Sequence, residues 1–397
     1  MGNINQIAFF TNLPHNTGIT SSTMNISEVN SRMMQLSYFT HNKEKITLAQ
    51  WYKEIGGLTK IYNILINIIE ILKTIHNKGF VYGNLSPSRI YVFKYTNNHS
   101  VFLVDNNDLK FKTNLLNNTF VSPYGAPELV NKTAPNTPMS DFHAFSVIAY
   151  ELLTFNNPLI CTNTSENGEN EFLTWVDSSS DNANIQYNSL VPDKVMSHKL
   201  KGLFSQSFKI GLNSPMLRPT WAEWLGGFKL IQNELLKCGN EHCQMYYPYN
   251  NLNKCTFCGH VSKHVLKLKV QRWEEVKCLD KNMEPIYNIQ PTIYEEILVD
   301  EYTNKHLLAA DFLIEGMSPF TQILYFQQFV ENNEIKFSLT ALIPIVLHFS
   351  DKFNPLEKNK TFEMKPRQKL KVYQKDSTNF ILHLQNLNKS QRVLNIG

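Results

Sequence analysis

This 397-residue chain is short of several things, and each absence excludes a class of protein. No uninterrupted apolar run approaches the roughly 18 to 20 residues that a membrane-spanning helix needs, and the longest, such as ALIPIVLHF, are strand-sized. The start, MGNINQIAFF, has no basic segment ahead of a long apolar core, so no secretory signal is expected. Lys and Arg never gather into a block: 38 basic residues stand against 34 acidic ones, and the net charge of +4 is dispersed along the chain. Without a basic stripe to follow a phosphate backbone, nucleic acid is not an expected partner. No fixed-period repeat indicates a solenoid. Evenly scattered cysteine pairs are missing too; of six cysteines, four cluster at metal-ligand spacing while Cys161 and Cys278 stand alone, as in a reducing compartment. A soluble, cytoplasmic chain without a membrane segment is expected.

What is present suits packed domains. Hydrophobic residues make up 42% and charged ones 18%, and the length predicts two or three cores. Residues 1–35 are rich in Asn, Ser and Thr, show no convincing period, and read as weakly structured, a strap or a vestige of a lobe. Over 58–78 the residues Ile61, Ile64, Leu65, Ile68, Leu72 and Ile75 recur at three and four, which predicts an amphipathic helix, with Gly79 as its left-handed end. RIYVFKY and SVFLVD, separated by TNNH, predict a hairpin. DFHAFSVIAYELLTF predicts a buried helix with Ser140 and Asp141 as candidate N-caps. Residues 161–190 are a polar excursion, and a last helix is predicted from Pro219 to about Leu236. After Lys263 come short apolar segments such as VLKLKV, TIYEEILV and IPIVLHF, spaced as in an all-β or β-rich domain.

The stretch CGNEHCQMYYPYNNLNKCTFCGH holds Cys238 and Cys243 in one pair and Cys255 and Cys258 in another. Four thiolates in two knuckles suit tetrahedral Zn²⁺, and with no vacant position such a zinc is structural. The first pair is loosely spaced, so His242 or His260 in place of a sulfur, or ordinary free cysteines, are the alternatives. Metal binding would contribute on the order of 10 kcal/mol to a segment too short for its own core. Tyr246, Tyr247 and Tyr249 read as packing around the knuckles; a base-stacking platform would need more basic neighbours than Lys237 and Lys254.

Five motifs stand in a telling order: IHNKG with FVYGNLSPSRIYV, then FLVDNND, YGAPELV, SDFHAFSVIAYELLTFNNPL and RPTWAEW. They resemble the catalytic loop, metal-binding turn, end of the activation segment, central buried helix and a late helix of a protein-kinase C-terminal lobe. Over about residues 36–262 the chain is similar to a bacterial kinase-like family in which that lobe precedes a Cys-rich zinc module. The resemblance implies a multidomain fold: a truncated N-lobe or strap over 1–35, a mainly α kinase-like C-lobe over 36–236, a zinc ribbon over 237–262 and a β-rich domain over 263–397. It implies that Asp141 bonds catalytic-loop backbone N–H groups, and that Glu128 and Arg218 form a buried pair; the bland alternative is two unrelated surface charges.

The same resemblance implies that the chemistry is lost. Kinases use an Asp as base, an Asn five residues on and a later Asp for Mg²⁺, and a Lys on the phosphates. Here the first two positions are Asn84 and Arg89, and only Asp105 keeps its carboxylate. An amide is no general base at neutral pH, and a guanidinium repels a metal. The first 42 residues contain only Gly2 and Gly18 and no lysine before Lys43, so a phosphate cradle cannot be written into them. Asp105 remains a weak Mg²⁺ or nucleotide ligand, and Mg·ATP is not expected to bind. His76 reads as a packing residue, with substitute base as the alternative, and Cys161 as an unpaired thiol without a nucleophile's partners. The expected function is a pseudokinase scaffold, with partners implied by family association: a von Willebrand A-type protein and a serine/threonine phosphatase of tellurite-resistance-like stress systems. The alternatives are a serine/threonine kinase completed by another chain or a longer N-terminus, and a zinc-ribbon nucleic-acid adaptor.

Overall fold

The computed structural model describes residues 6–12, 19–25, 33–40, 48–93, 101–104, 110–111, 119–159, 190–249, 252–262, 265–279, 285–300, 306–309, 322–332, 334–350, 360–373, 380–384 and 392–396. Asp105, Lys43, Cys161 and nearly all of the predicted excursion over 161–190 lie outside the described residues. Those residues hold eight α-helices and sheets whose every described pairing is antiparallel, a mixed α and β protein. The chain divides into two compact units, Met1–Gln232 with Met245–Pro248, and Asn233–Gln244 with Tyr249–Gly397.

The first unit begins with strands β1 (Gln6–Asn12), β2 (Ile19–Asn25) and β3 (Met33–Gln35) and helices α1 (Ser37–Thr40), α2 (Leu48–Ile55) and α3 (Gly57–Asn77). Gly56 and Gly57 both hold positive φ, 98° and 83°, which an L side chain rarely adopts, and there the chain bends by 56° between α2 and α3. All six stripe residues of α3 are at most 3% exposed, and Ile69 and Ile71 are buried with them. Burial of this kind offsets the modest helix propensity of a run rich in β-branched Ile. The helix ends as its sequence predicts: Gly79 takes φ 86° and its N–H donates to the His76 carbonyl at 3.0 Å.

Next come β4 (Phe80–Val81), a 3₁₀ turn at Pro87–Arg89, the hairpin strands β5 (Ile90–Phe93) and β6 (Val101–Val104), and β7 (Lys110–Phe111), which pairs with β4. Against the expectation that residues 1–35 are weakly structured, the described parts of that range, 6–12, 19–25 and 33–35, are strands. The five-stranded sheet runs β2-β1-β6-β5-β3, so the N-terminal strands extend the β5–β6 hairpin sideways on both edges. Phe9 faces Val104 and Met34 faces Val92 in the ladder. These partners lie far along the chain, which is why no local period revealed them.

Helices α4 (Pro127–Val130), α5 (Pro138–Thr154), α6 (Leu190–Val195), α7 (His198–Ser205), a π-helical turn at Gln206–Ile210 and α8 (Trp221–Asn233) complete this unit's helices. Every residue of α5 from Ser140 to Thr154 is buried. Its N-cap is Thr137, not Ser140 or Asp141. Ser140 closes the capping box by accepting from the Thr137 N–H at 3.0 Å, leaving the Asp141 carboxylate free to bond elsewhere. The last helix is also shorter than predicted. Thr220 and Glu223 cap its start, with the Thr220 N–H donating to Glu223 Oε2 at 2.8 Å, and the chain is extended again at β8 (Leu235–Lys237). Around α5 the rings of Phe142, Phe145, Phe204, Trp221, Trp224 and Phe228 interlock, with Phe142 and Trp221 edge to face at 4.5 Å. Strand β9 (Tyr246–Pro248) touches α3 and α6, and Tyr247 is 1% exposed. Tyr247 is therefore buried on a strand that belongs to the helical unit.

In the second unit, β8 and the cysteine turns precede β10 (Val265–Leu279), β11 (Pro285–Asp300), β12 (His306–Ala309), β13 (Gln322–Glu331), β14 (Glu334–Ala341), β15 (Ile345–Ser350), β16 (Lys360–Met364), β17 (Lys369–Tyr373), β18 (Phe380–Leu384) and β19 (Arg392–Ile396). Six of these strands form one sheet, β11-β10-β19-β18-β15-β16, and four form another, β12-β13-β14-β17. Pro285 and Pro291 fall in β11, an edge strand of its sheet, where proline is tolerated. Among the described residues no single helix is long and apolar enough to cross a membrane.

Candidate functional site

The loop after β4 is held from below by one carboxylate. Asp141 Oδ2 accepts from the Tyr82 backbone N–H at 2.8 Å, and Oδ1 accepts from that of Gly83 at 2.9 Å. A third donor completes the set. The indole Nε1–H of Trp221 donates to His76 Nδ1 at 2.9 Å, which leaves His76 Nε2 to carry the ring proton and donate to Asp141 Oδ2 at 2.9 Å. Trp221, His76 and Asp141 are all nearly sealed from solvent, at 5%, 6% and 2% exposure. In this state both ring nitrogens of His76 are engaged, Nδ1 as acceptor and Nε2 as donor.

Asn136, fully buried, clamps the same loop from its other side. Its Nδ2 donates to the carbonyls of Gly83 and Thr119 at 2.9 and 2.8 Å, while its Oδ1 accepts from the Thr119 N–H at 2.8 Å. Gly83 sits at φ 82° with Asn136 and Thr119 ordinary contacts away from where a Cβ would stand, so the turn favours glycine. The Tyr82 hydroxyl donates to the Val104 carbonyl at 2.7 Å and ties the loop to β6. From the N-terminal segment, Gln35 Nε2 donates to the Ser88 carbonyl at 3.0 Å. On this fixed loop Asn84 is buried, and Arg89 is half-buried at the end of the 3₁₀ turn. The structure thus places Asn84, Arg89 and Asp141 around one loop, while Asp105 lies outside the described residues.

Glu128 on α4 and Arg218 ahead of α8 meet as a bidentate pair, Nη1 to Oε1 at 2.6 Å and Nη2 to Oε2 at 2.7 Å. Arg218 also donates from Nε to the Gly211 carbonyl at 2.8 Å and from Nη1 to that of Met139 at 2.9 Å. A Cβ on Gly211 would come 2.7 Å from Arg218 Cγ and from the Ser207 carbonyl, so this approach needs glycine. Close by, His143 is fully buried, and among the described residues neither ring nitrogen meets a hydrogen-bond partner. Burial, with Arg218 as a second cause, pushes its pKa down to about 3 and keeps the ring neutral.

Asn136, Trp221 and a third group escaped the sequence reading. In the third, the Tyr124 hydroxyl donates to Glu151 Oε2 at 2.9 Å, and Asn157 Nδ2 donates to Glu151 Oε1 at 3.0 Å. Burial, and then the neighbouring carboxylate, raise the Tyr124 phenol well above its ordinary range. A glutamate inside the apolar run of α5 was the available signal.

In the second unit, Cys238, Cys243, Cys255 and Cys258 bring their sulfurs within 4.8 Å of one another. Cys238 and Cys258 Sγ are 3.5 Å apart, and Cys243 and Cys255 Sγ 3.9 Å. A tetrahedral ion with M–S bonds of about 2.3 Å has sulfur edges of about 3.8 Å, so the spacing fits a four-coordinate soft metal. It excludes a disulfide, whose sulfurs lie about 2.05 Å apart. Each knuckle is shaped by its backbone. The Cys243 N–H donates to the Asn240 carbonyl and the Gly259 N–H to the Cys255 carbonyl, both at 2.9 Å. The residue after each second cysteine, Gln244 and Gly259, turns at positive φ, 53° and 79°. Among the described residues the cluster comprises these four cysteines, and neither His242 nor His260 belongs to it. Burial raises the Cys238 thiol far above its usual value and pushes Cys255 up to about 11. Burial also acts on Cys258, but hydrogen bonds from the His260 backbone and the neighbouring sulfurs outweigh it and lower that thiol. Four sulfurs gathered in this way are held as thiolates when a cation balances them.

No protein-family model matches this chain, and no curated protein matches it.

Proposed function

We propose that the first unit is a kinase-like lobe without catalytic function that serves as a protein-docking scaffold, and that the cysteine cluster holds one structural Zn²⁺. The observation that carries the first part is the contrast inside one loop. Asp141 and Asn136 hold the backbone of Tyr82 and Gly83 through three buried bonds, yet the adjacent side chain is an amide at Asn84. A loop fixed with that care and given no base presents a shape. The resemblance of residues 36–262 to bacterial kinase-like proteins supports the reading, as does the Glu128–Arg218 pair that ties α4 to the segment before α8. A cytoplasmic setting and docking to a von Willebrand A-type protein or a serine/threonine phosphatase belong to the same proposal. So does a β-rich second unit, for which every described element after Val265 is a strand.

For the metal, Cys238, Cys243, Cys255 and Cys258 would supply four thiolates and leave no position for substrate. Zinc there would supply cross-linking of the two knuckles and no reaction chemistry. The test has two arms. Elemental analysis of the purified chain should find one zinc per chain. Thermal melting with and without Mg·ATP should give equal midpoints; a midpoint raised by Mg·ATP and restored in Asp105→Ala would mean a working nucleotide site and would overturn the scaffold reading.

A further inference from the structure

The four sulfurs are unequally covered. Cys238, Cys243 and Cys255 are buried, at 2%, 8% and 2% exposure, whereas Cys258 is exposed. The exposed sulfur lies 3.5 Å from Cys238 Sγ, and Asn240 Nδ2 approaches it at 3.9 Å. Cys243 and Cys255, 3.9 Å apart, lie behind.

We propose that Cys258 is an oxidative modification site, at which a hydroperoxide such as hydrogen peroxide converts the Cys258–Cys238 pair into a disulfide and releases the metal. This rests on the zinc reading above. Reactivity at sulfur needs thiolate character and access together; a metal supplies the first for all four sulfurs, and only Cys258 has the second. The Cys258 thiolate attacks one peroxide oxygen, the O–O bond breaks, and hydroxide leaves with sulfenic acid formed on Sγ. Cys238 Sγ then attacks Cys258 Sγ, forming the S–S bond and expelling the second hydroxide. Two electrons pass from the two thiolates to peroxide, two solvent protons give two waters, and Zn²⁺ is left with two ligands. The sulfurs need only close from 3.5 Å to about 2.05 Å, so no domain movement is required. Loss of two thiolates removes a large part of the free energy that holds the knuckles, which makes the step a local unfolding signal.

The experiment uses the full chain, purified without oxygen and first assayed for zinc. Equimolar hydrogen peroxide is added in the presence of a chromogenic zinc chelator, and cysteines are mapped by differential alkylation and peptide mass spectrometry. The expected result is loss of the one zinc in step with a Cys238–Cys258 cross-link, reversed by a dithiol and zinc. The Cys161→Ser/Cys278→Ser variant, which leaves all four ligands in place, should release zinc at the parent rate. Zinc retained under peroxide, a cross-link joining Cys243 to Cys255, or release that requires Cys161 or Cys278 would overturn the proposal while leaving the zinc site standing. A chain that carries no zinc would overturn the metal reading, and this inference with it.

Discussion

Glu128→Ala is the most direct test of how the first unit is held together. Arg218 has a side chain of 0% exposure and spends its donors on Glu128, Gly211 and Met139. Removing the carboxylate leaves a buried guanidinium with two neutral carbonyls and no counter-charge. Breaking a buried pair on one side costs about 3 to 5 kcal/mol. For a unit of this size each kcal/mol moves the melting midpoint by roughly 2 to 4 °C, so a fall of roughly 10 °C is expected. Arg218→Met should cost a comparable amount by a different route, since Glu128 is only 10% exposed and the Gly211 and Met139 carbonyls lose their donor. The double variant removes both charges at once and should lose about 2 kcal/mol less than the sum of the two single losses. Urea unfolding of the four proteins measures this cycle. A Glu128→Ala loss below about 1 kcal/mol, or strictly additive losses, would show that the pair is not the buried, mutually dependent anchor described.

Three further outcomes follow from the same contacts. His143 is neutral when folded, with a pKa pushed down to about 3, and protonates near 6.5 when unfolded; its contribution is complete above pH 6.5 and is lost as pH falls toward 3. At pH 4.5 that loss is about 3 kcal/mol, and His143→Phe should flatten the difference in urea midpoint between pH 7 and pH 4.5; equal slopes in the two proteins would refute it. Asp141→Asn presents an amide N–H to a carboxylate site that receives three donors, and should cost about 3 kcal/mol with faster hydrogen exchange at the Tyr82 and Gly83 amides; unchanged protection there would count against the clamp. Chelation of the proposed zinc should expose 238–244 and 252–262 to limited proteolysis, because binding worth on the order of 10 kcal/mol is withdrawn from the two knuckles; an unaltered digest would contradict it.

Some of this was legible in the sequence because the cause was local. The α3 stripe ends at a glycine, and both lie within one run of residues, so period and C-cap could be read together. The four cysteines carry their spacing in the chain and meet within 4.8 Å. Other features were decided by distant partners. β1 pairs through Phe9, Phe10 and Thr11 with β6, some 90 positions later, and the polar β2 joins the sheet by pairing with β1. Asp141 has the chemistry of a cap, yet Thr137 takes that role and the carboxylate turns to the loop. The sequence reading placed Asp141 beneath the loop by resemblance, but not Trp221 and His76 behind it, since a hydrogen-bonded chain across three elements has no period. Asn136 was missed for the same reason.

The bonds that fix the loop explain how its form and its chemistry come apart. Asp141 receives the N–H groups of Tyr82 and Gly83, and Asn136 donates to the Gly83 carbonyl, so all three contacts are to backbone. None depends on which side chain stands at 84. The Gly83 turn and the Tyr82 tether to Val104 are likewise independent of the side chain at 84. A change of side chain at 84 therefore leaves these backbone contacts in place, while replacing Asp141, Asn136 or Gly83 would damage the loop itself. On the proposed scaffold reading a docking surface needs the second set and not a particular side chain at 84, and Asn84 beside Asp141, Asn136 and Gly83 fits that proposal.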